Sequence, residues 1–207
     1  MLFKKWSTRW AEQIAQTAGE TDEYKTALMR YVFESVLSFC LSFLVLFILA
    51  WILGILKEAL IIGFTGAVIK TFTGGLHMST PLRCAVSGAI TLAAISYLSI
   101  LFPAASFPAI AVIIILALLN LIVWQYAPRE AKGKPLSSRQ KVILAWLSRL
   151  IILGISVWVF LTYRKSGWVN LVFYGTLFQV LNLLEVSSRG TAKLDHLLGK
   201  IEKEPLF

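Results

Sequence analysis

The chain has 207 residues, of which 57% are hydrophobic and 15% are charged, and its formal net charge is +9. A soluble domain is about half apolar and about a quarter charged, so the composition indicates an integral membrane protein with a single domain over residues 1–207. In such a protein, an excess of Lys and Arg indicates the orientation of the helices in the membrane and contact with anionic lipids, rather than binding of nucleic acid. Two Cys and two His exclude a disulfide framework and a Cys-rich zinc site. We therefore expect neither a metal nor another cofactor.

Residues 1–30 are predicted to form an interfacial amphipathic segment. Its bulky apolar side chains fall at helical spacing on one stripe: Phe3, Trp6, Trp10 and Ile14. Its basic side chains lie off that stripe: Lys4, Lys5 and Arg9. Such a helix is expected to lie on the inner leaflet, and docking of a second amphipathic peptide is a compatible alternative. No short apolar core followed by a cleavage site is present, so no signal peptide is predicted.

The membrane core is predicted over residues 31–186, as an all-α bundle of about six transmembrane helices. The apolar segments are 31–56, 59–73, 84–102, 104–125, 142–163 and 167–186. A full span needs about 20 apolar residues. The second segment is shorter and contains Lys70, so either a re-entrant or a tilted helix is expected there. Residues 187–207 are predicted to be a polar cytoplasmic tail with a short surface helix.

The basic residues predict the orientation of these helices. With both termini in the cytoplasm, sixteen of the twenty Lys and Arg residues lie inside. Only Lys57, Arg164 and Lys165 lie outside, and Arg149 lies within a span. This asymmetry follows the positive-inside rule. It predicts a multi-pass cell-membrane protein with both termini, the 74–83 loop and the 126–141 loop in the cytoplasm.

Candidate chemistry concentrates in the 74–84 stretch. Thr80-Pro81 predicts a helix start, which puts Cys84 in a first turn, where helix N–H groups stabilise a thiolate. His77 can accept the thiol proton, and Gly74-Gly75 can turn sharply and present N–H groups to an oxyanion. These parts suffice for cysteine acyl transfer. The alternative is a loop His that caps a helix beside a buried Cys.

Two motifs resemble the accessory gene regulator B (AgrB) family, which are membrane cysteine endopeptidases that process quorum-sensing peptide precursors. The first motif runs from Lys70 to Cys84 with Gly75 and His77 in place. The second is Tyr126-Ala127-Pro128 followed by Lys132, Lys134, Pro135 and Leu136. Where the family often has Arg before the Gly-rich turn, this chain has Lys70, which keeps the charge but loses bidentate pairing.

The resemblance implies that Cys84 attacks an AgrD-like precursor peptide and forms a thioester, with His77 as base and acid. An internal Cys or Ser of the peptide then closes a thiolactone or lactone ring. Lys70, Gly74, Gly75 and Arg83 are expected to position substrate or oxyanion. The resemblance also implies a homodimer in contact with membrane lipids, and Gly- and Ser-containing stripes on the third and sixth segments would allow close helix contact.

Several other residues are candidates for supporting roles. The basic loop is expected either to bind an acidic precursor tail or to serve only as positive-inside charge, and its residues are Arg129, Lys132, Lys134 and Arg139. No third member of a triad is evident. The nearest carboxylates and amides are Glu34, Glu58, Glu185, Gln125, Gln140 and Asn182, and Glu58 is expected on the external side, away from the site. Arg149 should snorkel or pair within the protein. Cys40 is expected to be a small buried hydrophobe.

Three other classes of protein compete with this hypothesis. A transporter would carry ionisable residues at mid-membrane on several helices, and only Arg149 approaches that pattern. A metal-dependent intramembrane protease would need more His ligands than the two present. A non-catalytic membrane protein that holds a peptide remains open.

Overall fold

The computed structural model describes residues 2–17, 22–75, 78–130 and 136–203, and these residues form a helical bundle. The helices are α1 (Leu2–Thr17), α2 (Glu23–Ile52), α3 (Leu56–Thr73), α4 (Pro81–Leu101), α5 (Ala109–Tyr126), α6 (Ser138–Thr162), α7 (Gly167–Leu181) and α8 (Glu185–Lys203). A short 3-10 turn at Ala104–Ser106 separates α4 from α5. The all-α prediction is confirmed.

The predicted apolar segments correspond one to one with α2 through α7, but the ends differ. Helix α2 begins at Glu23 rather than at residue 31, because its polar first turns contain no Gly or Pro to stop it. The predicted interfacial segment is therefore divided between α1 and the start of α2. In α1, Ala11 and Ala15 are buried, whereas Trp6, Trp10 and Ile14 are exposed.

Several helices are suited to a bilayer, as expected of a membrane protein. Helices α4, α5 and α6 are each long and apolar enough to cross a membrane. A fourth span results if α7 and α8, which meet at a bend of 78°, are counted as one broken element. The apolar part of α2, Val36–Ile52, is shorter. The count of about six spans stays a prediction.

One end of the bundle gathers the turns that the charge pattern predicts to lie outside. The Tyr97 hydroxyl donates to the Leu53 carbonyl at 3.2 Å, which joins the end of α4 to the turn between α2 and α3. The Lys57 ammonium lies 4.8 Å from the centroid of the Trp168 ring at the start of α7. The turns before α3, after α4 and before α7 therefore share one end.

The opposite end gathers the loops that are predicted to lie inside. Gly74 and Arg129 form an isolated parallel β-bridge, which joins the loop after α3 to the loop after α5. Ser79 contacts Asp195 of α8 at the same end. Helix α3 has 18 residues and connects the two ends over about 27 Å at the usual helical rise.

Helix α7 is the most buried element and packs closely on α3. A Cβ atom at Gly175 would lie 2.8 Å from Thr65 Cβ and 2.9 Å from the Ile62 carbonyl oxygen, so only glycine permits this approach. Phe173 and Ile62 are among the largest fully buried side chains of the core between these helices. Gly175, which lies on the sixth apolar segment, therefore packs against α3 of the same chain. The predicted homodimer stays a prediction.

Candidate active site

Cys84 lies in the first turn of α4, where the sequence places it. The Thr80 side chain caps the helix by accepting a hydrogen bond from the Arg83 N–H at 3.3 Å, and Pro81 is the first helical residue. The Cys84 N–H donates to the Thr80 carbonyl at 3.1 Å. The thiol is partly exposed. A thiol at this position experiences the positive end of the helix dipole.

The turn that precedes Cys84 depends on Gly74. Its φ of 70° and ψ of −164° fall in a region that is essentially restricted to glycine. A Cβ atom there would collide with the carbonyl oxygen of Arg129. The Arg129 N–H donates to the Thr73 carbonyl at 2.9 Å. The sharp turn predicted from Gly74-Gly75 is confirmed, and its reason is this close approach of two backbones.

A buried amide on α7, Gln179, holds the same turn. Its Nε2 donates to the Gly74 carbonyl at 2.9 Å and to Thr73 Oγ1 at 3.2 Å. The side chain is 2% exposed. Gln179 was absent from the sequence candidates, which included Gln125, Gln140 and Asn182. The available signal was an amide within an apolar helix, because buried polar groups in membrane helices need partners.

Lys70 lies beside both the turn and the thiol. A Cβ atom at Gly75, which is buried, would lie 3.1 Å from the Lys70 Cε. Lys70 and Cys84 interact electrostatically. The structure thus brings Lys70, Gly74, Gly75 and Cys84 together. A thiol beside a basic side chain, in the first turn of a helix, has the features of an activated nucleophile.

Arg83 binds a carboxylate of the chain itself. Its Nη1 donates to Asp195 Oδ1 at 3.1 Å, and both side chains are about one-fifth exposed. The Ser79 N–H and hydroxyl also donate to Asp195, at 3.0 Å and 2.9 Å. Helix α8 is therefore attached to the loop that carries the candidate residues. From the sequence, this segment was expected only to form a surface helix. Its contact with Ser79 was not predicted, because Asp195 lies 116 residues away along the chain.

These contacts determine the ionisation of Asp195. Burial by itself raises the pKa of the Asp195 carboxyl. Hydrogen bonds from Ser79 and Arg83, together with the Arg83 charge, act in the opposite direction and leave that pKa below its ordinary value. The carboxylate is therefore charged at neutral pH, which favours its pairing with Arg83.

Some predicted site residues lie outside the described part of the chain. They are His77, Lys132 and Lys134. The pairing of His77 with Cys84 therefore stays a prediction. The other two basic-loop candidates are described. Arg139 is exposed at the start of α6, and Arg129 Nη1 donates to the carbonyls of Leu183 and Leu184 at 2.6 Å and 3.4 Å, just beyond the end of α7.

The remaining candidates have local partners or exposed positions. Glu185 pairs with Arg189 at 3.2 Å, the Gln140 side chain belongs to the capping box of α6, Asn182 is the C-cap of α7, and Gln125 is exposed. The Glu34 side chain lies outside the described residues.

Arg149 and Cys40 lie away from this site. The Arg149 guanidinium carbon is 3.9 Å from the centroid of the Trp124 ring and 5.4 Å from that of Trp146, so Arg149 is paired within the protein, one of the two predicted outcomes. Cys40 is exposed on α2. The prediction of a buried Cys40 was wrong, because apolar surface of a membrane helix is satisfied by lipid as well as by protein.

The sequence profile of one family, described as accessory gene regulator B (AgrB), matches residues 7–183. The chain belongs to this family. It is 24% identical over 205 residues to a putative AgrB-like protein 2 of Clostridium perfringens, covering 92% of this chain and 95% of that protein. It is 27% identical over 141 residues to accessory gene regulator protein B of Staphylococcus intermedius, covering 68% and 72%.

A third relative is protein FsrB of Enterococcus faecalis, with 25% identity over 173 residues, 81% of this chain and 68% of that protein. No solved structure matches the chain. Membership in the AgrB family links this protein to quorum sensing through the accessory gene regulator system and to an AgrD-like precursor peptide.

Proposed function

We propose that this AgrB protein is a cysteine endopeptidase that cleaves the C-terminal tail from an AgrD-like precursor and promotes its cyclisation. The observation that carries the proposal is the position of Cys84. It lies in the first turn of α4, beside Lys70 and the Gly74 turn, in a chain whose family match covers residues 7–183.

In the first step, His77 takes the Cys84 proton and the sulfur attacks the backbone carbonyl that precedes the tail. A carbon–sulfur bond forms, the carbon–nitrogen bond breaks, and His77 returns the proton to the departing amine. The tail leaves as a free peptide. The rest of the precursor stays on Cys84 as a thioester.

In the second step, a Cys or Ser side chain within the bound peptide attacks that thioester. A new thioester or ester closes the ring, and the Cys84 sulfur regains its proton. Closure of a thiolactone conserves the energy of the thioester, whereas hydrolysis is downhill. The site must therefore exclude water, and its location at one end of a membrane bundle favours this.

We further propose that the active site faces the cytoplasm, where the basic loop attracts the acidic tail of the precursor. The sixteen-to-three distribution of basic residues supports this orientation. Exposed Arg139 suits tail binding, and the guanidinium of Arg129 is already engaged with two backbone carbonyls.

A membrane-impermeant maleimide tests the orientation. In a chain without other Cys, a Cys at Ser79 should react only in opened cells, and one at Ser166 in intact cells.

The direct test of function is Cys84→Ala, with Cys40→Ala as its matched control. Each variant is produced in membranes together with the cognate precursor, and the released tail and the cyclic product are measured by mass spectrometry. Cys84→Ala should release no tail while inserting normally, and Cys40→Ala should behave as wild type, because Cys40 lies on the exposed surface of α2. Tail release by Cys84→Ala near the wild-type rate would refute the proposal.

The same experiment separates an enzyme from a membrane protein that only holds the peptide. If precursor binding survives in Cys84→Ala while tail release is lost, the chain both binds and cleaves. If wild-type protein binds precursor without releasing its tail, the holding role is correct instead.

A further inference from the structure

Arg149 is a charged residue within the apolar helix α6, and it lies where α5 and α6 meet. Its guanidinium carbon is 3.9 Å from the centroid of the Trp124 ring on α5 and 5.4 Å from that of Trp146 on α6. The two rings meet edge to face, with their centroids 6.3 Å apart. Guanidinium groups stack on aromatic faces in this way. The rings therefore hold the charge beside them instead of leaving it free to extend into water.

Most of the hydrogen-bonding capacity of Arg149 is unused. A guanidinium has five N–H donors. Among the residues that the structure describes, the one acceptor that Arg149 reaches is the Trp124 carbonyl, at 3.3 Å from Nη2. That carbonyl is available because the residue four positions later is Pro128, which has no N–H. The Nε–H has no acceptor in the same part of the chain.

The charge of Arg149 also lacks an acidic partner. The ion pairs of the described residues use other cations, and none of the described Asp and Glu carboxylates pairs with Arg149. The indole rings attract the cation, but they offer no oxygen to its N–H groups. A charge within a membrane helix is costly without a partner, and such a residue usually has a function. We therefore looked for an anion outside the chain.

The level of Arg149 along the bundle matches the polar edge of a membrane. Asn120 Nδ2 donates to Ser156 Oγ at 2.8 Å, and Trp124 contacts Arg149, so α5 and α6 run antiparallel. Trp124 is two residues before the end of α5 at Tyr126, which is about 3 Å along the helix axis. Trp side chains are enriched at the level of the lipid headgroups. The anions available at this level are lipid phosphates.

Apolar surface continues from Arg149 toward the middle of the bundle. Leu150 and Leu153 on α6, and Leu118 and Leu121 on α5, are each more than half exposed. Acyl chains satisfy such side chains in a membrane. A cation at the membrane edge with an apolar strip beside it matches a phospholipid, and basic pockets between membrane helices bind anionic headgroups.

We propose that Arg149, together with the rings of Trp124 and Trp146, binds the phosphate of an anionic phospholipid. The phosphate accepts hydrogen bonds from the guanidinium, and the acyl chains lie on the exposed leucines of α5 and α6. An anionic headgroup fits better than a choline headgroup, because choline neutralises its own phosphate. The site lies at the end of the bundle where the loop after α5 meets Gly74. It is independent of the chemistry proposed for Cys84.

The test measures the binding of single lipids to the purified protein in a neutral detergent by native mass spectrometry. Phosphatidylglycerol is compared with phosphatidylcholine of the same acyl chains. Glycerol phosphate, which is a phosphate without acyl chains, is added as a competitor. Arg149→Gln removes the charge. Arg164→Gln is the matched control, because the Arg164 guanidinium carbon also lies near an aromatic ring, 5.3 Å from the Tyr163 centroid, but at the opposite end of α6.

Wild-type protein should bind phosphatidylglycerol more tightly than phosphatidylcholine. Arg149→Gln should weaken binding of the first phosphatidylglycerol on the order of 10-fold, as expected from the loss of one charge-assisted hydrogen bond. Arg164→Gln should keep the wild-type affinity. Glycerol phosphate in excess should not displace the lipid, because it cannot cover the leucines of α5 and α6.

Equal affinity of the wild-type protein for the two lipids would overturn the inference, as would wild-type affinity for phosphatidylglycerol in Arg149→Gln. Displacement of the lipid by glycerol phosphate would assign the site to free phosphates, and displacement by an acidic precursor tail would assign it to the precursor. Both results would also overturn the inference.

A second variant keeps the test decisive if Arg149→Gln fails to accumulate in membranes. Trp146→Leu keeps the charge and an apolar surface but removes one of the two rings that hold the guanidinium. It should weaken phosphatidylglycerol binding in the same direction as Arg149→Gln. Unchanged affinity in Trp146→Leu would contradict a site built from the cation and both rings.

Discussion

Helix α7 holds a turn at each end of the bundle with a buried amide, and the two turns differ in what surrounds them. Near its start, Asn170 accepts from the Ala104 N–H at 2.7 Å and donates to the Ser99 carbonyl at 2.8 Å. Nearer its end, Gln179 donates to Thr73 and to Gly74. Each amide links α7 to the end of another helix and to the residues that follow it.

The turn after α4, which Asn170 holds, has a structural role. Its amide uses one donor and one acceptor on backbone groups, and the Tyr174 hydroxyl adds a bond to the Phe102 carbonyl at 2.6 Å. The Gln179 turn instead contains a glycine-restricted backbone and lies beside Lys70 and Cys84. The comparison shows that a buried amide of α7 holds both turns, and that only the Gln179 turn lies beside the proposed nucleophile.

The largest effect should come from Gly74→Ala, which changes the turn beside Cys84. The new methyl would collide with the Arg129 carbonyl oxygen, a backbone atom that cannot move aside, and it would also require the φ of 70°. We expect loss of tail release and of the contact between the loops after α3 and α5. The measurement is tail release together with the amount of folded protein in membranes.

Gly54→Ala is the matched control at the opposite end. Gly54 has a φ of 69°, but a Cβ atom there meets nothing within 4 Å. The substitution therefore adds only backbone strain, about 1–2 kcal/mol, and should leave tail release per folded molecule unchanged. Equal losses in the two variants would mean that positive φ, rather than the approach of Arg129, makes Gly74 necessary.

Asn170→Leu should affect stability rather than catalysis. It leaves the Ala104 N–H and the Ser99 carbonyl buried without the amide, at a cost of about 1–3 kcal/mol for each group that finds no other partner. The expected result is a lower midpoint of thermal unfolding in detergent, with wild-type tail release per folded molecule. A fall in tail release as large as that of Gly74→Ala would remove the contrast between the two turns.

The smallest effect concerns α8 and its pH dependence. Because the Asp195 pKa is lowered in the folded protein, its contact with Ser79 and Arg83 stabilises the docked helix above the ordinary Asp pKa of about 4. That contribution is lost as pH falls through the lowered value. A distance between spin labels at Leu82 and Lys193 should stay constant from neutral pH to about 4 and lengthen below.

Asp195→Ala should lengthen that distance already at neutral pH. Glu185→Ala is its control on the same helix, because the Glu185–Arg189 pair is largely exposed, and such pairs contribute about 1 kcal/mol or less. If the distance between the labels at Leu82 and Lys193 changes neither with pH nor with Asp195→Ala, then α8 is held by its apolar side chains alone.

Local sequence signals predicted the local parts of this site. Thr80-Pro81 located the start of α4 and the position of Cys84, since capping and proline preferences act over a few residues. Gly74-Gly75 indicated the turn, although not the Arg129 carbonyl that requires it. Gln179 and Asp195 lie 105 and 116 residues from their partners, and such pairings depend on how helices assemble.

The central claim is that Cys84 carries the precursor as a thioester, and the most direct test is the intact mass of the enzyme. Purified protein is mixed with a precursor whose ring-closing Cys or Ser is replaced by Ala, so that the second step stops. We predict an added mass equal to the precursor without its tail, located on Cys84, released by hydroxylamine, present in Cys40→Ala and absent in Cys84→Ala. Tail release without this adduct, or an adduct at another residue, would contradict the account.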